Sequence, residues 1–346
     1  MKWRVAVLSA FGGGALVGLV LLAAMSGGIA QTGSQRISFV MATGSTAGTY
    51  FPVGEAIASI VSHPRGVDRC DRRDVCGPPG LVASTRTSAG TIANVFAVNA
   101  GQADSALAQS DVVAEAIAGK GVFAKSGKQL HVLAIADLYP EEVHVVVARR
   151  GHLKSMADLR GKRVSIGGKT SGTIVTARAV LAAYRLSESS IKPSYLTADL
   201  AAAKLEKGDL DAFFFVGGAP VPIVEDLVSR GVATLLPIDG AGRKRLLRSS
   251  PSLSVRVISA GTYQHMAAID TVSVHAIWIV NDGEPSDLIY SITKSVFNPA
   301  NRKLLTGSHP SARYIRVDQA ASGLPAPLHP GALRYYRETG NLTRRS

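Results

Sequence analysis

One unit recurs along this chain and constrains its fold more than any other feature. A short apolar run opens into a turn of glycines and hydroxyls, and a helix-like segment follows. Residues 37–42 lead into Thr43-Gly-Ser-Thr-Ala-Gly-Thr49 and residues 81–84 into a polar turn at 85–90. Residues 105–108 lead into Gln109-Ser-Asp111, and residues 163–166 into Gly167-Gly-Lys-Thr-Ser-Gly-Thr173. The run Phe213-Phe-Phe215 is followed by Gly217-Gly-Ala-Pro220. Further apolar runs at 129–136, 143–148, 233–237 and 271–280 read as strands. Helical spacing is visible over 173–184, through Ile174, Ala177, Leu181 and Tyr184, and over 285–297, through Leu288, Ile292 and Val296. Such alternation predicts α/β units around mostly parallel sheets. In sheets of that kind ligands sit beyond the carboxyl ends of the strands. Glycines there admit a ligand close to the backbone, and N–H groups at helix starts attract anions.

With 346 residues, 46% hydrophobic and 18% charged, the chain is a folded globular protein with room for two domains. Residues 1–30 differ from the rest. Lys2 and Arg4 precede an uncharged stretch that runs to Arg36, with small residues at Gly28 and Ala30. This is the pattern of a secretory signal peptide cleaved after Ala30, and left uncleaved it is long enough to anchor the protein in a bilayer. No later segment reaches spanning length without charge, so an exported, periplasmic protein is expected. The net charge of +13 is spread along the sequence, with knots at Arg149-Arg150 and 243–248 but no interleaved aromatics. That distribution reads as a solvated surface with an attraction for anions rather than a nucleic-acid interface.

Cys70 and Cys76 bracket a polar loop, and in an exported chain they are expected to form a local disulfide. No histidine stands at ligand spacing to either cysteine, and the eight histidines form no paired pattern, so neither a metal nor a cofactor is expected. Gly-Lys-Thr at 168–170 invites a phosphate-loop reading, but that motif needs a glycine where Arg163 stands. Two readings of 168–173 stay open: an anion nest at a helix start, or a helix start capped by Ser171 or Thr173. No nucleophile elbow and no cysteine–histidine pairing occurs, and Asp104, Asp111 and Asp211 lack a partner acid or base. Each is read as bonding nearby backbone N–H groups. The chain is therefore read as a binding protein, not an enzyme. Two long extended segments, 132–148 interrupted by Asp137-Leu-Tyr-Pro-Glu-Glu142, and 271–280, suggest crossings between two lobes. The first lobe is placed at 36–140 plus 270–346 and the second at 141–269.

Seven segments in order carry a family resemblance: MATGSTAGTYFPVGEAIA, CGPPGLVASTRTSAGTIANV, AGQADSALAQSDVVAEA, ADLYPEEVHVVV, DLRGKRVSIGGKTSGT, GDLDAFFFVGGAP and PLHPGALRYYRETG. Together, over about 36–340, they resemble the TAXI family, extracytoplasmic solute-binding subunits of TRAP-type secondary transporters. The resemblance implies a type II periplasmic-binding-protein clamshell. Its two α/β lobes would close over a small organic anion such as glutamate, glutamine or a dicarboxylate, for delivery to TRAP membrane permease subunits. On that basis one jaw of the pocket is expected at Gly44, Ser45, Thr46, Gly48 and Tyr50, and the facing jaw at Lys169, Thr170, Ser171, Gly172 and Thr173. Arg86, Ser88 and Thr91 would line a third turn. Gln109 would supply an amide, Tyr139 a ring wall, and Phe214 and Phe215 an apolar side. Lys169 departs from the small or proline residue of many relatives; it either pairs with an anionic ligand or reaches solvent. Arg86 either binds a carboxylate or pairs with a surface acid. A receptor of the same shape feeding a signalling partner is the alternative.

Overall fold

The computed structural model describes residues 36–342; the signal-peptide segment 1–30 lies outside them. The strands are β1 (Ile37–Ala42), β2 (Leu81–Arg86), β3 (Ser105–Gln109), β4 (Val132–Ala148) and β5 (Arg163–Ser165), then β6 (Lys192–Ser194), β7 (Ala212–Gly217), β8 (Ala233–Leu236), β9 (Ser254–Ile258) and β10 (Ile269–Asn281). They form one sheet in the order β2-β1-β3-β10-β4-β7-β5-β6, with β8 beside β4 and β9 beside β10. Two parallel sets, β2-β1-β3 and β7-β5-β6, flank the antiparallel pair β10-β4. The α/β fold expected from the sequence is thus present, with a mixed sheet in place of a mostly parallel one.

The two runs expected at 129–136 and 143–148 are a single strand of 17 residues. Pro140 does not break it, because β4 has its β10 neighbour there while pairing to β7 begins only at Glu142. A register shift between Ala276 and Ile277 of β10 leaves Leu138 unpaired, a bulge next to the proline. The pattern did not mark β6, three residues at a sheet edge, or β9, whose alternation is half exposed.

Helices cover both faces. They are α1 (Tyr50–Val61), α2 (Thr91–Asn99), α3 (Ser110–Ala118), α4 (Thr173–Ala183), α5 (Ala198–Lys207), α6 (Pro222–Ser229), α7 (Gly240–Ser249) and α8 (Ser286–Val296), followed by shorter turns and the helix Pro330–Glu338. Strand alternation sorts side chains between layers: Val145 and Val147 join one buried cluster and Val146 and Ala148 another. The three consecutive phenylalanines obey the same rule, with Phe213 and Phe214 buried on opposite sides of β7. Cys70 and Cys76 form a disulfide and pack with Val75. Asp104, Asp111 and Asp211 each accept a backbone N–H, from Val40, Val112 and Arg163.

Buried Asn94 ties the first parallel set to its turns, its amide donating to the carbonyls of Thr43 at 2.6 Å and Leu107 at 2.7 Å. We expect Asn94→Ala to lower the unfolding free energy by about 1–3 kcal/mol, at unchanged denaturant slope, in urea unfolding.

Candidate functional site

The carboxyl ends of β1, β2, β3, β5, β6 and β7 and the turns that follow them enclose a cavity of about 110 Å³. At about 10–15 Å³ per water-sized group, that is room for a small molecule on the order of ten heavy atoms. Its wall is made of glycine, hydroxyl and aromatic residues. Gly44, Ser45, Gly48 and Thr49 follow β1; Ser88, Gly90 and Thr91 follow β2; Gly167, Gly168, Ser171, Gly172 and Thr173 follow β5. Phe214 and Phe215 supply apolar surface.

Four helices begin at this wall: α1 at Tyr50, α2 at Thr91, α4 at Thr173 and α5 at Ala198. Their N-cap residues, Thr49, Gly90, Gly172 and Thr197, make no side-chain cap hydrogen bond. At α4 the Ile174 N–H donates to the Ser171 hydroxyl at 3.4 Å, the capped start that the sequence left open. The positive ends of four helix dipoles, with the N–H groups left free there, face one small space, which favours a negatively charged guest. Among the described residues no lysine, arginine or histidine lines it.

The wall closes through direct contacts between its two sides. The Ala93 N–H donates to the Thr170 carbonyl at 3.2 Å, the Ser45 hydroxyl to Asp199 at 2.8 Å, and the Thr49 hydroxyl to the Gly218 carbonyl at 3.1 Å. The Gln109 amide donates to the Thr176 hydroxyl at 3.3 Å, which donates to Asp111 at 2.9 Å. Two glycines make the approach possible. A Cβ on Gly90 would stand 3.0 Å from Ser171 Cα, and one on Gly172 only 1.7 Å from Gln109 Oε1. Gly172 has an ordinary right-handed backbone, φ −70°, so space rather than conformation requires glycine there.

A carboxyl group lies in the wall as well. Glu141, 1% exposed, accepts a hydrogen bond from the Tyr50 hydroxyl at 2.8 Å. Burial pushes its pKa well above the usual carboxylate range and the nearby carboxyls of Asp111, Glu142 and Asp137 add to this, with the Tyr50 hydrogen bond opposing. Burial likewise raises Asp111, to about 6, against the hydrogen bonds from Thr176 and Val112.

Of the residues singled out in the sequence, Gly44, Ser45, Gly48, Tyr50, Ser88, Thr91, Gln109, Ser171, Gly172, Thr173, Phe214 and Phe215 are brought together on this wall. The other five are not on it. Thr46 is exposed. Exposed Arg86 donates to the Gln102 carbonyl at 3.1 Å. Lys169 turns outward over the Tyr195 ring, 5.7 Å from its centroid, and Thr170 offers its carbonyl to Ala93. Tyr139 is in the core and borders a second hollow with Asp137, Arg256 and His275. Sequence reasoning missed Glu141, taken with Glu142 for turn residues, and the Thr197–Ala198 helix start. The Thr197-Ala-Asp199 pattern, a hydroxyl then an acid in a first turn, was the available signal for the latter. No group of three or more histidine, cysteine, aspartate or glutamate residues suited to a metal occurs among the described residues.

Residues 41–340 match the NMT1-like family. The chain belongs to that family. Among solved structures, MatC from Rhodopseudomonas palustris with bound malate shares the fold at TM-score 0.53 and 11% identity, covering 88% of this chain and 96% of its own. A structure described as a periplasmic transporter aligns at TM-score 0.50 and 12% identity over 88% of this chain and 92% of that one. The alkanesulfonate-binding protein SsuA from Xanthomonas axonopodis pv. citri, bound to MOPS, aligns at 0.46 and 14% identity over 89% and 94%. What the chain shares with MatC and with that periplasmic transporter is the fold.

Two outcomes are expected. Gly172→Ala costs about 1–3 kcal/mol in thermal or urea unfolding. In a Gln109→Ala background the cost is smaller but does not vanish, because the added Cβ still stands 2.9 Å from the Thr91 hydroxyl. Asp111 holds its proton in the folded state up to about pH 6. Its contribution to stability is therefore present below about pH 4 and lost as pH rises through 6. Asp111→Asn should then stabilise the protein by about 2 kcal/mol at pH 7.5 and by little at pH 4, read from unfolding curves at the two pH values.

Proposed function

We propose that the protein is the extracytoplasmic solute-binding receptor of a TRAP-type secondary transporter, of the TAXI kind. It would bind a small organic anion in the glycine- and hydroxyl-lined cavity and present it to membrane permease subunits. The observation that carries this reading is the convergence of four helix starts on one cavity without a cationic side chain. Its size suits a compact mono- or dicarboxylate, and malate in MatC, a protein of the same fold, agrees with that class.

In this reading residues 36–140 with 270–346 are one lobe and 141–269 the other. Wall residues come from both: 44–50, 88–91 and 109 from the first, 141, 167–173, 196–201 and 214–217 from the second. The contacts of Ala93 with Thr170 and of Ser45 with Asp199 would then be latches of the closed form, broken when the lobes part. The periplasm is the corresponding location. No helix among the described residues is long and apolar enough to cross a membrane.

Calorimetric titration of protein refolded to strip carried-over ligand tests this, with glutamate, glutamine, 2-oxoglutarate and C4-dicarboxylates as the panel. One anion is expected to bind with a Kd of about 10 μM or tighter. Lys169→Ala and Arg86→Ala should leave that affinity unchanged within about twofold, since recognition rests on backbone N–H groups and hydroxyls. Failure of the whole panel to bind would refute the ligand class.

A further inference from the structure

The reading of the cavity as an organic-anion site leaves one group in its wall without a role. We propose that Glu141 is the specificity-determining residue: its carboxyl group carries a proton and donates it in a hydrogen bond to a ligand oxygen, so that the site takes an anion bearing an oxo or hydroxyl oxygen in preference to the corresponding amino acid.

The argument is one of charge pairing in a buried place. Four carboxyl groups gather at the point where β4 passes from β10 to β7. From β4 itself, Glu142 is paired with Arg256 of β9 at 3.0 Å, and Asp137 with His275 of β10 at 2.8 Å. Asp111 of α3 has the Thr176 hydroxyl at 2.9 Å and the Val112 N–H at 2.8 Å. Glu141 has neither a cation nor a backbone N–H; its hydrogen-bond partner is the neutral Tyr50 hydroxyl of α1. The remaining neighbour on β4 is the Tyr139 phenol, buried and without a partner. Arg256 is already engaged by Glu142 and by the Tyr314 ring, 5.0 Å away. A buried carboxyl among other carboxyls, met by no cation, stays neutral by keeping its proton. The direction in which burial and the surrounding acids move its pKa agrees.

With Tyr50 donating to Oε2, Oε1 is the oxygen of Glu141 left without a protein partner. Proton-bearing Glu141 then joins the free N–H groups of the helix starts and the hydroxyls of Thr91 and Thr173, which accept from the Gln109 and Val216 N–H groups and keep their own protons, as a donor to one guest. Such a wall satisfies oxygen acceptors. A ligand ammonium would be opposed by the same four helix dipoles, and could pair with Glu141 only after driving its proton into solvent.

The test is calorimetry on the purified protein with 2-oxoglutarate, malate and glutamate, repeated at pH 7 in buffers of different ionisation enthalpy. The expected result is that a 2-oxo or hydroxy acid binds at least about tenfold more tightly than glutamate and releases no proton on binding. Glu141→Gln, whose amide donates in the same place, should keep that affinity within about threefold. As pH rises through Glu141 ionisation, wild-type affinity should fall towards about tenfold per pH unit. In Glu141→Gln that fall disappears, and any change near pH 6 that persists belongs to Asp111. Preference for glutamate with release of about one proton, or a loss of thirtyfold or more in folded Glu141→Gln, would overturn the proposal by showing Glu141 to be a carboxylate held against an ammonium or a ligand donor. Proton counting on the wild-type protein decides the matter even if the variant does not fold. If none of the three binds but another member of the wider panel does, this inference is overturned while the anion-site reading stands; if the whole panel fails, the anion-site reading has failed and this inference falls with it.

Discussion

The pairing of β4 with β10 is the interaction on which the rest of the structure depends. The two strands run antiparallel from Ser273 opposite Glu142 to Asn281 opposite Val132. Each then continues past the other to a new neighbour, β4 to β7 and β8 and β10 to β9, while β3 pairs along the other edge of β10 at Ala276–Val280. Both parallel sets therefore hang from this pair, and the turns at their carboxyl ends meet over it. The price is that the point of exchange carries acids. Glu141 and Glu142 are buried where an apolar strand would be expected, held by Tyr50 and Arg256 from other elements. A hydrophobic replacement would fill the same volume without that desolvation cost. Chemistry is what an acid at this position adds.

Recognition of an anion without an opposing cation follows from the same geometry. Each helix start carries roughly half a positive charge spread over its free N–H groups. Four of them around about 110 Å³ of space can offset a ligand's charge while leaving no charged side chain of the protein to be desolvated when the site is empty. Hydrogen bonds from fixed backbone donors also impose direction, which a flexible lysine does not. The net positive charge of the chain acts at longer range, drawing anions toward the surface. The helix starts then select among them at contact.

Most of the fold was legible because its signals are local. The strands β1, β3 and β7 and the helices α4 and α8 lie where period and turn chemistry placed them, within a residue or two. The turns after β1, β2 and β5 were legible as site material for the same reason. A run of Gly, Ser and Thr between a strand and a helix has few other uses in an α/β sheet. What failed was non-local. Pro140 and the acids beside it read as a loop, because nothing in the sequence tells that β4 has a partner on only one side there. Lys169 and Arg86 drew attention as charges suited to an anion. Their side chains point away from the cavity, since the turns that carry them present backbone inward. Glu141 escaped notice because its burial depends on Tyr50, 91 positions away in sequence.

The central claim is that one guest is held by the helix starts of α1, α2, α4 and α5 together. Hydrogen exchange at their backbone amides, with and without saturating ligand, tests it most directly. Slowed exchange in all four first turns, around residues 49–53, 90–94, 172–176 and 197–201, is the expected result. Protection confined to one of them, or appearing instead around 137–140 and 254–256 beside the second hollow, would contradict the account.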